Sequence, residues 1–251
     1  MLKLLAFLKL SKRQIVKTFN VFNATWYKIT MIKEKLKRGS ILYKLYLYFN
    51  IFIRYKILKA NRKTHSQFGE DLFIESFFLN QKIGKYVDLG AFHPMRLSNT
   101  YLLYKNGWSG TNVDLNPITI DLFDIARSKD KNICCLIGEE DGLLKDVYYE
   151  DWSAANSLTE NENLKDKKQM KTRTFENLIN HDFDFLNIDL EGHDYEILKT
   201  INFKKFNPKL ICIEILKDCS DKENIFKFME HNRFIFIKNL GPSYFFKKEQ
   251  K

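Results

Sequence analysis

Short apolar runs alternate with amphipathic stretches between residues 66 and 247. The apolar runs predict eight strands, at Tyr86–Gly90, Thr111–Leu115, Ile133–Ile137, Val147–Glu150, Phe183–Leu190, Leu210–Ile215, Phe234–Lys238 and Tyr244–Lys247. The amphipathic stretches predict helices that begin near Ser66, Ser98, Pro117, Thr174, Glu191 and Asp221. This alternation predicts an α/β fold with a mostly parallel, Rossmann-like sheet covered on both faces. The turn at 239–243 predicts a C-terminal antiparallel hairpin.

Residues 1–63 follow a different pattern and are predicted to be a basic, mainly helical extension of a domain at 64–251. Within it, Leu42, Leu45 and Phe49 share one helical face, with Tyr46 and Ile53 beside it. Residues 1–65 hold 16 Lys or Arg and one acid, a net charge of +15, whereas residues 66–251 carry −5. Such asymmetry indicates a basic arm that meets an anionic surface.

Three interpretations of the extension stay open. It packs on the main domain or on a second subunit as a homo-oligomer, it is a peripheral anchor on an anionic membrane, or it binds nucleic acid. The last is the weakest, because no RNA-binding signature accompanies the basic residues. The four cysteines form no C-x-x-C pair, and no signal peptide or membrane-spanning stretch is evident. We therefore expect a cytoplasmic protein, peripheral at the inner face of the membrane if the arm is an anchor.

Two strand ends predict a ligand pocket. The first strand ends in Asp88-Leu-Gly-Ala, and the second ends in Asp114, 26 positions after Asp88. A dinucleotide site would need further glycines near the pyrophosphate of its ligand. The single Gly90 therefore favours S-adenosylmethionine, a ligand without a pyrophosphate. Asp88 could offset the positive charge of that ligand, and Asp114 could accept from both ribose hydroxyls. Asn116, which is predicted to cap the following helix, is a further candidate cofactor-binding residue beside this site. The alternative is a tight strand-to-helix turn with no ligand.

A second polar cluster, Asp189-Leu-Glu-Gly-His-Asp, follows the strand that ends near Leu190. Open α/β sheets bind substrates at such strand ends. His193 could be the general base for a substrate hydroxyl, or it could simply cap the helix or pack at its start. Asp189 or Glu191 could hold the methionine moiety, orient the imidazole or bind sugar hydroxyls. Glu214 lies in the next apolar strand, and with Asp189 it could hold Mg²⁺ or make a structural hydrogen bond.

These motifs, taken in order over about residues 64–217, resemble the FkbM-type S-adenosylmethionine-dependent methyltransferases. The resemblance is carried by five segments: 66–71, 86–94, 98–110, 113–117 and 185–194. It implies a class I methyltransferase domain and adds Gln67 and Ala91 to the candidate cofactor-binding residues. His93-Pro94 stands where many relatives have Asn and Gly.

The resemblance also implies an enzyme that methylates hydroxyls of sugars or natural products, often in the biosynthesis of surface polysaccharide or glycolipid. We therefore expect O-methylation of a sugar, glycan or glycolipid precursor, with the polar segment 151–171 as a substrate loop. Two alternatives stay open. One is an NAD-dependent sugar-modifying enzyme, which the missing glycines disfavour. The other is a non-catalytic, membrane-attached scaffold with a degenerate pocket, which the intact Asp88, Gly90 and Asp114 disfavour.

Overall fold

The computed structural model describes residues 36–57, 63–149 and 166–249. The chain divides into two compact units, Met1–Arg62 and Lys63–Lys251. Predictions for residues 1–35 and 58–62, and for 151–165 of the expected substrate loop, lie outside the described residues. No helix among the described residues is long and apolar enough to cross a membrane.

In the first unit, helix α1 (Ile41–Phe49) continues into a π-helix, Asn50–Ile57. Ser40 begins α1, because its Oγ accepts a hydrogen bond from the Tyr43 amide at 3.2 Å. The buried side chains lie on one side and are Tyr43, Tyr46, Leu47, Asn50, Ile51 and Tyr55. Leu42 and Leu45, which were predicted to share a face, lie on the opposite, exposed side.

The second unit contains ten strands and six helices within the described residues. The strands are β1 Lys85–Leu89, β2 Ser109–Asp114, β3 Lys131–Cys134, β4 Leu136–Ile137, β5 Leu144–Tyr149, β6 Asp166–Arg173, β7 Phe185–Ile188, β8 Leu210–Glu214, β9 Phe234–Leu240 and β10 Ser243–Lys248. The helices are α2 Glu70–Phe77, α3 Tyr101–Lys105, α4 Pro117–Ala126, α5 Phe175–Leu178, α6 Asp194–Leu198 and α7 Lys222–His231.

Seven strands form the main sheet in the order β3-β2-β1-β7-β8-β10-β9. The first five are parallel, and β10 runs antiparallel to both β8 and β9. The predicted mostly parallel sheet with a terminal hairpin is therefore confirmed. Because these strands are parallel, the carboxyl ends of β1, β2, β7 and β8 lie along one edge of the sheet.

Both faces of the main sheet are buried, as the continuous apolar character of its central strands requires. Successive side chains alternate between two hydrophobic clusters. Val87, Leu186 and Ile211 belong to one cluster, whereas Tyr86 and Phe185 belong to the other. The central strands are therefore rigid, and they hold the residues that follow them at fixed positions.

A smaller sheet contains β4, β6 and β5 in that order. Strand β6 runs parallel to β4 and antiparallel to β5. The prediction of an irregular loop through residue 171 is therefore wrong for residues 166–171. Their polar side chains give no strand pattern, but antiparallel backbone pairing with β5 holds them extended.

Candidate active site

A cavity of about 270 Å³ lies at the carboxyl ends of β1, β2, β7 and β8. Of the nine residues predicted from the sequence to form the site, it brings eight together. These are Gln67, Asp88, Gly90, Ala91, Asp114, Asp189, Glu191 and His193. Asn116 is the ninth, and it does not line the cavity. Its Oδ1 accepts from the Ile118 amide at 2.9 Å, so it caps α4, with Pro117 at the first helical position.

Gly90 forms the turn that closes β1. Its φ is +78°, and its amide donates to the Val113 carbonyl at 2.9 Å. A Cβ built on Gly90 would lie 1.7 Å from the Asp189 carbonyl oxygen. The glycine is therefore required for the approach of the β1 turn to the end of β7, in addition to any approach of backbone to a ligand.

Asp88 is buried, and protein groups occupy both of its carboxylate oxygens. Asn187 Nδ2 donates to Oδ1 at 2.9 Å, and Thr100 Oγ1 donates to Oδ2 at 2.6 Å. Burial raises the pKa of Asp88, and these two hydrogen bonds and the charge of Arg127 oppose the rise. In the structure Asp88 therefore ties β1 to β7 and to the segment before α3.

Arg127 is the main site-supporting residue that the sequence analysis missed. It is fully buried where α4 ends. Its guanidinium donates to the hydroxyls of Ser98, Thr100 and Tyr86 and to the Pro94 carbonyl, at 2.7–3.2 Å. An arginine at a helix end usually lies in solvent, so no pattern in the chain reveals this role. Arg127 fixes the loop between β1 and α3, which forms one wall of the cavity.

His93 stabilises the same loop from within. It is buried, and its Nδ1 accepts from the amides of Met95 and Arg96 at 3.0 and 3.1 Å. His93 thus forms a side-chain turn with the backbone that follows it. The neighbouring Leu97 has a φ of +48°, an uncommon conformation for a branched residue. The shape of this loop therefore depends on both His93 and Arg127.

Asp114 ends β2 and lines the cavity. Its Oδ1 accepts from the Asn116 amide at 2.6 Å, and no hydrogen bond to Oδ2 is found among the described residues. Burial raises the pKa of Asp114 to about 7, with a smaller contribution from the charge of Asp88. A carboxylate with one free oxygen beside a glycine turn fits the hydroxyls of a ribose.

Asp189 and Glu214 form an acid pair at the ends of β7 and β8. Burial, followed by the charges of Glu214, Asp194 and Glu191, raises the pKa of Asp189 to about 9. Burial also raises the pKa of Glu214 to about 7. The pair therefore holds a proton near neutral pH. Glu214 Oε2 is buried without a partner in the described structure.

The loop between β7 and α6 depends on Asp194 for its shape. The Asp194 carboxylate accepts from the amides of Leu190 and Gly192, at 3.0 and 3.1 Å. Glu191 has a φ of +51°, and burial raises its pKa. His193 occupies the cap position of α6 but makes no cap hydrogen bond. The histidine therefore stands at the start of the helix without a side-chain cap hydrogen bond.

The His193 side chain lines the cavity and is 28 % exposed, and its Nδ1 lies 3.3 Å from Glu196 Oε2. If Nδ1 carries the proton in this contact, Nε2 is left as the acceptor. No group of three or more His, Cys, Asp or Glu side chains in the described ranges is arranged to hold a metal ion. Asp189 and Glu214, which the sequence offered as an Mg²⁺ pair or a structural hydrogen bond, both line the cavity.

Two residues from outside the strand ends were also missed. Glu70 is buried at the start of α2 and lines the cavity. It accepts from the Phe68 amide at 2.6 Å and from Ser243 Oγ at 3.3 Å. Asn99 lines the cavity as well, and its Nδ2 donates to Asn187 Oδ1 at 3.0 Å. The contacts of Glu70 with Ser243 and of Asn99 with Asn187 span long distances in sequence, which a local pattern does not record.

Comparison with known proteins identifies the family of this domain. The profile of the methyltransferase FkbM domain matches residues 88–236, more than half of the chain. The methyltransferase FkbM from Methylobacillus flagellatus KT superposes with a TM-score of 0.51 at 13 % identity, covering 87 % of this chain and 57 % of its own length. The chain therefore spans less than two thirds of that relative. No curated protein sequence matches significantly.

Two methyltransferase structures with bound S-adenosylhomocysteine have lower similarity. The 1,6-didemethyltoxoflavin-N1-methyltransferase from Burkholderia thailandensis has a TM-score of 0.42 at 11 % identity, covering 85 % of this chain and 93 % of its own. The Podospora anserina methyltransferase PaMTH1 has a TM-score of 0.43 at 12 % identity, covering 90 % of this chain and 96 % of its own. Similarities this low carry no argument about the substrate.

Proposed function

Because this chain belongs to the FkbM methyltransferase family, we propose that it methylates a hydroxyl oxygen of a sugar or of a glycan or glycolipid precursor. The methyltransferase activity and the cofactor, S-adenosylmethionine, follow from the family, as the sequence predicted. The hydroxyl acceptor and a place in polysaccharide biosynthesis are the proposed part. An NAD-dependent sugar-modifying enzyme and a non-catalytic scaffold receive no support from the comparisons.

The observation that carries the proposal is the pairing of two kinds of residue in one cavity. Gly90 and Asp114 fit the cofactor, while His193 and the acids Asp189, Glu191 and Glu214 can accept or share protons. A hydroxyl must lose its proton as its oxygen is methylated, so a hydroxyl acceptor needs such a group within reach. A nitrogen acceptor with a lone pair has less need of it.

The cofactor, when bound, supplies a methyl group already activated on a sulfonium. The protein therefore acts mainly by alignment, which can lower a barrier by roughly 7–11 kcal/mol. Asp114 accepts from the ribose hydroxyls through its free Oδ2. The network of Arg127, Thr100 and Asp88 keeps the loop after β1 in place.

We assign His193 as the general base. Its Nε2 accepts the hydroxyl proton, while Glu196 stabilises the resulting imidazolium from the Nδ1 side. The acid pair of Asp189 and Glu214 offers Glu214 Oε2, which is buried without a partner in the described structure, as a hydrogen-bond acceptor for a second hydroxyl of the sugar.

The test is a methyl-transfer screen with methyl-labelled S-adenosylmethionine. Acceptors carrying only hydroxyls, such as glycosides and lipid-linked glycans, are compared with amine-bearing analogues and with RNA. We expect a methyl ether, identified by mass spectrometry and by its stability to base. A product methylated on nitrogen or carbon, or labelling of RNA alone, would contradict the proposed acceptor while leaving the family assignment intact.

A further inference from the structure

The first unit exposes an apolar stripe on one side of its helix. Ile41, Leu45, Tyr48 and Phe52 follow the spacing of one helical face, with Leu42 beside them. Their exposures are 79 %, 60 %, 51 % and 39 %, and Leu42 is 67 % exposed. The rings of Tyr48 and Phe52 stack with centroids 5.8 Å apart. We call these five residues the outer face.

The outer face is not the exposed remainder of an ordinary amphipathic helix. The opposite side of the same helix is already filled by buried apolar residues, among them Tyr43, Leu47 and Ile51. A helix that needs only one packed side carries polar residues on the other, and here the exposed side is also apolar. Contiguous exposed apolar surface of this kind marks an interaction site.

The segment that carries the outer face contains charged side chains of one sign only. Residues 36–57 contain five Lys or Arg and no acid. Lys44 is exposed on α1, between Leu42 and Leu45 in the sequence. The whole segment of residues 1–65, with 16 Lys or Arg against a single acid, carries +15. The partner must therefore combine an apolar phase with negative charge.

We propose that the outer face docks in the interface of an anionic lipid bilayer. A lipid surface presents acyl chains and negative headgroups together, and a basic helix with large apolar residues on one face lies in the plane of that interface. The helical stretch Ile41–Ile57 is shorter than the roughly 20 residues that a spanning helix needs. It therefore suits an in-plane arrangement.

Two other occupants fit the same surface less well. A second copy of the chain would bring two segments of strong positive charge together, which opposes association. A nucleic acid would match the charge, but it would leave the aliphatic side chains Ile41, Leu42 and Leu45 without an apolar partner. The inference stands apart from the identity of the methyl acceptor, although a bilayer-attached enzyme would meet lipid-linked acceptors at high local concentration.

The test is cosedimentation of the full chain with vesicles of phosphatidylcholine alone or mixed with phosphatidylglycerol. We expect binding only to the anionic vesicles, and weaker binding as salt is added. The double variant Ile41→Ser/Leu45→Ser should lower partitioning at least tenfold. Lys44→Gln should lower it about fivefold, since one basic residue near an anionic surface is worth about that factor.

The matched control is Leu79→Ser/Ile83→Ser, which removes two equally exposed aliphatic residues, 78 % and 72 % exposed, from the second unit. It should bind vesicles like the wild type. Circular dichroism checks folding, and Leu42→Ser replaces the double variant if that variant fails to fold.

Several results would overturn the proposal. These are equal binding of wild type and outer-face variants, equal binding to neutral and anionic vesicles, and no binding at all. A lipid-independent dimer that dissociates in Ile41→Ser/Leu45→Ser would assign the face to self-association instead. Binding to RNA that competes fully with vesicles, and that these variants leave unchanged, would assign the charge to nucleic acid.

Discussion

The backbone of Gly90 touches the backbone of Asp189, so that a Cβ on the glycine would lie 1.7 Å from the aspartate carbonyl oxygen. The two residues come from different sequence motifs, one after β1 and one after β7. Their contact joins the turn after β1, which carries the proposed cofactor-binding residues, to the end of β7, where the acids Asp189 and Glu191 follow. A change at either backbone should therefore affect both parts of the site.

We expect Gly90→Ala to lose measurable affinity for S-adenosylmethionine and to destabilise the fold. The new Cβ must displace the Asp189 backbone, and the residue must also keep a φ of +78°. The control is Gly107→Ala, which has a φ of +93° but no atom within 4 Å of its Cβ. That variant should lose only about 1–2 kcal/mol of stability. Calorimetry and urea unfolding measure the two effects, and equal behaviour of both variants would contradict the contact.

Asp114→Ala should weaken S-adenosylmethionine binding, because it removes the proposed acceptor for the ribose hydroxyls. Asp114→Asn keeps an oxygen for the Asn116 amide but loses the charge, so it should bind with intermediate affinity. Burial raises the pKa of Asp114 to about 7. Since the ionised form is the better acceptor, wild-type affinity should fall as pH drops below about 7, and Asp114→Asn should lack that dependence. Wild-type affinity in Asp114→Ala would place the ribose elsewhere.

His193→Ala should keep cofactor affinity and lose turnover by about 10²–10⁴-fold, the usual contribution of a general base. Glu196→Gln is the matched control, because it keeps the hydrogen-bonding shape beside Nδ1 but not the charge. Its loss should be less than tenfold. Single-turnover methyl transfer to the acceptor found by the screen gives both rates. Unchanged turnover in His193→Ala would remove this histidine from the proton transfer.

The acid pair should make the apoprotein less stable at high pH. The pKa values of Asp189 and Glu214 in the folded protein, about 9 and about 7, lie above the ordinary values of 3.8 and 4.5. For each carboxyl, the folded state therefore binds more protons than the unfolded chain at any pH between the ordinary and the raised pKa. The stability of the fold falls as pH rises through this range. Glu214→Gln should raise stability at pH 9 by roughly 1–2 kcal/mol after allowance for solvent screening.

Thermal unfolding of wild type and Glu214→Gln across this pH range tests the expectation. The two curves should converge below about pH 3, where both carboxyls are protonated in the folded and in the unfolded state. Glu223→Gln, on helix α7 and outside the cavity lining, is the control and should follow the wild type. A Glu214→Gln curve parallel to that of the wild type would show that the pair holds no shared proton.

Arg127→Met should cost about 3–5 kcal/mol of stability, as is typical when one partner of a buried charged network is removed. The variant leaves the hydroxyls of Ser98 and Thr100 and the Pro94 carbonyl without their donor. Arg127→Lys keeps the charge but cannot reproduce four hydrogen bonds, so it should lose less. Urea unfolding measures both, and a stable Arg127→Met protein would show that the loop is held without the guanidinium.

Local patterns predicted the elements that depend on local physics. Asn116 and Pro117 begin α4 where the sequence indicated, because an N-cap and a proline at the first position act within one turn. Helices α2 and α3 begin later than predicted, after Gly69 and Thr100 instead of at Ser66 and Ser98. The Ser66 hydroxyl instead donates to Asp71 Oδ1 at 2.7 Å, and this hydrogen bond competes with an N-cap contact to the helix backbone.

The amino-acid sequence by itself determined the order of strands and helices, the glycine turn after β1 and the acids that follow the strands, because these depend on periodicity and on residue type. Only the tertiary structure decided which polar groups meet. Asp88 and Asn187 lie 99 positions apart, and the partners of Arg127 come from two other segments of the chain. Such pairing depends on how the sheet brings distant residues together, and hydrophobic periodicity carries no information about it.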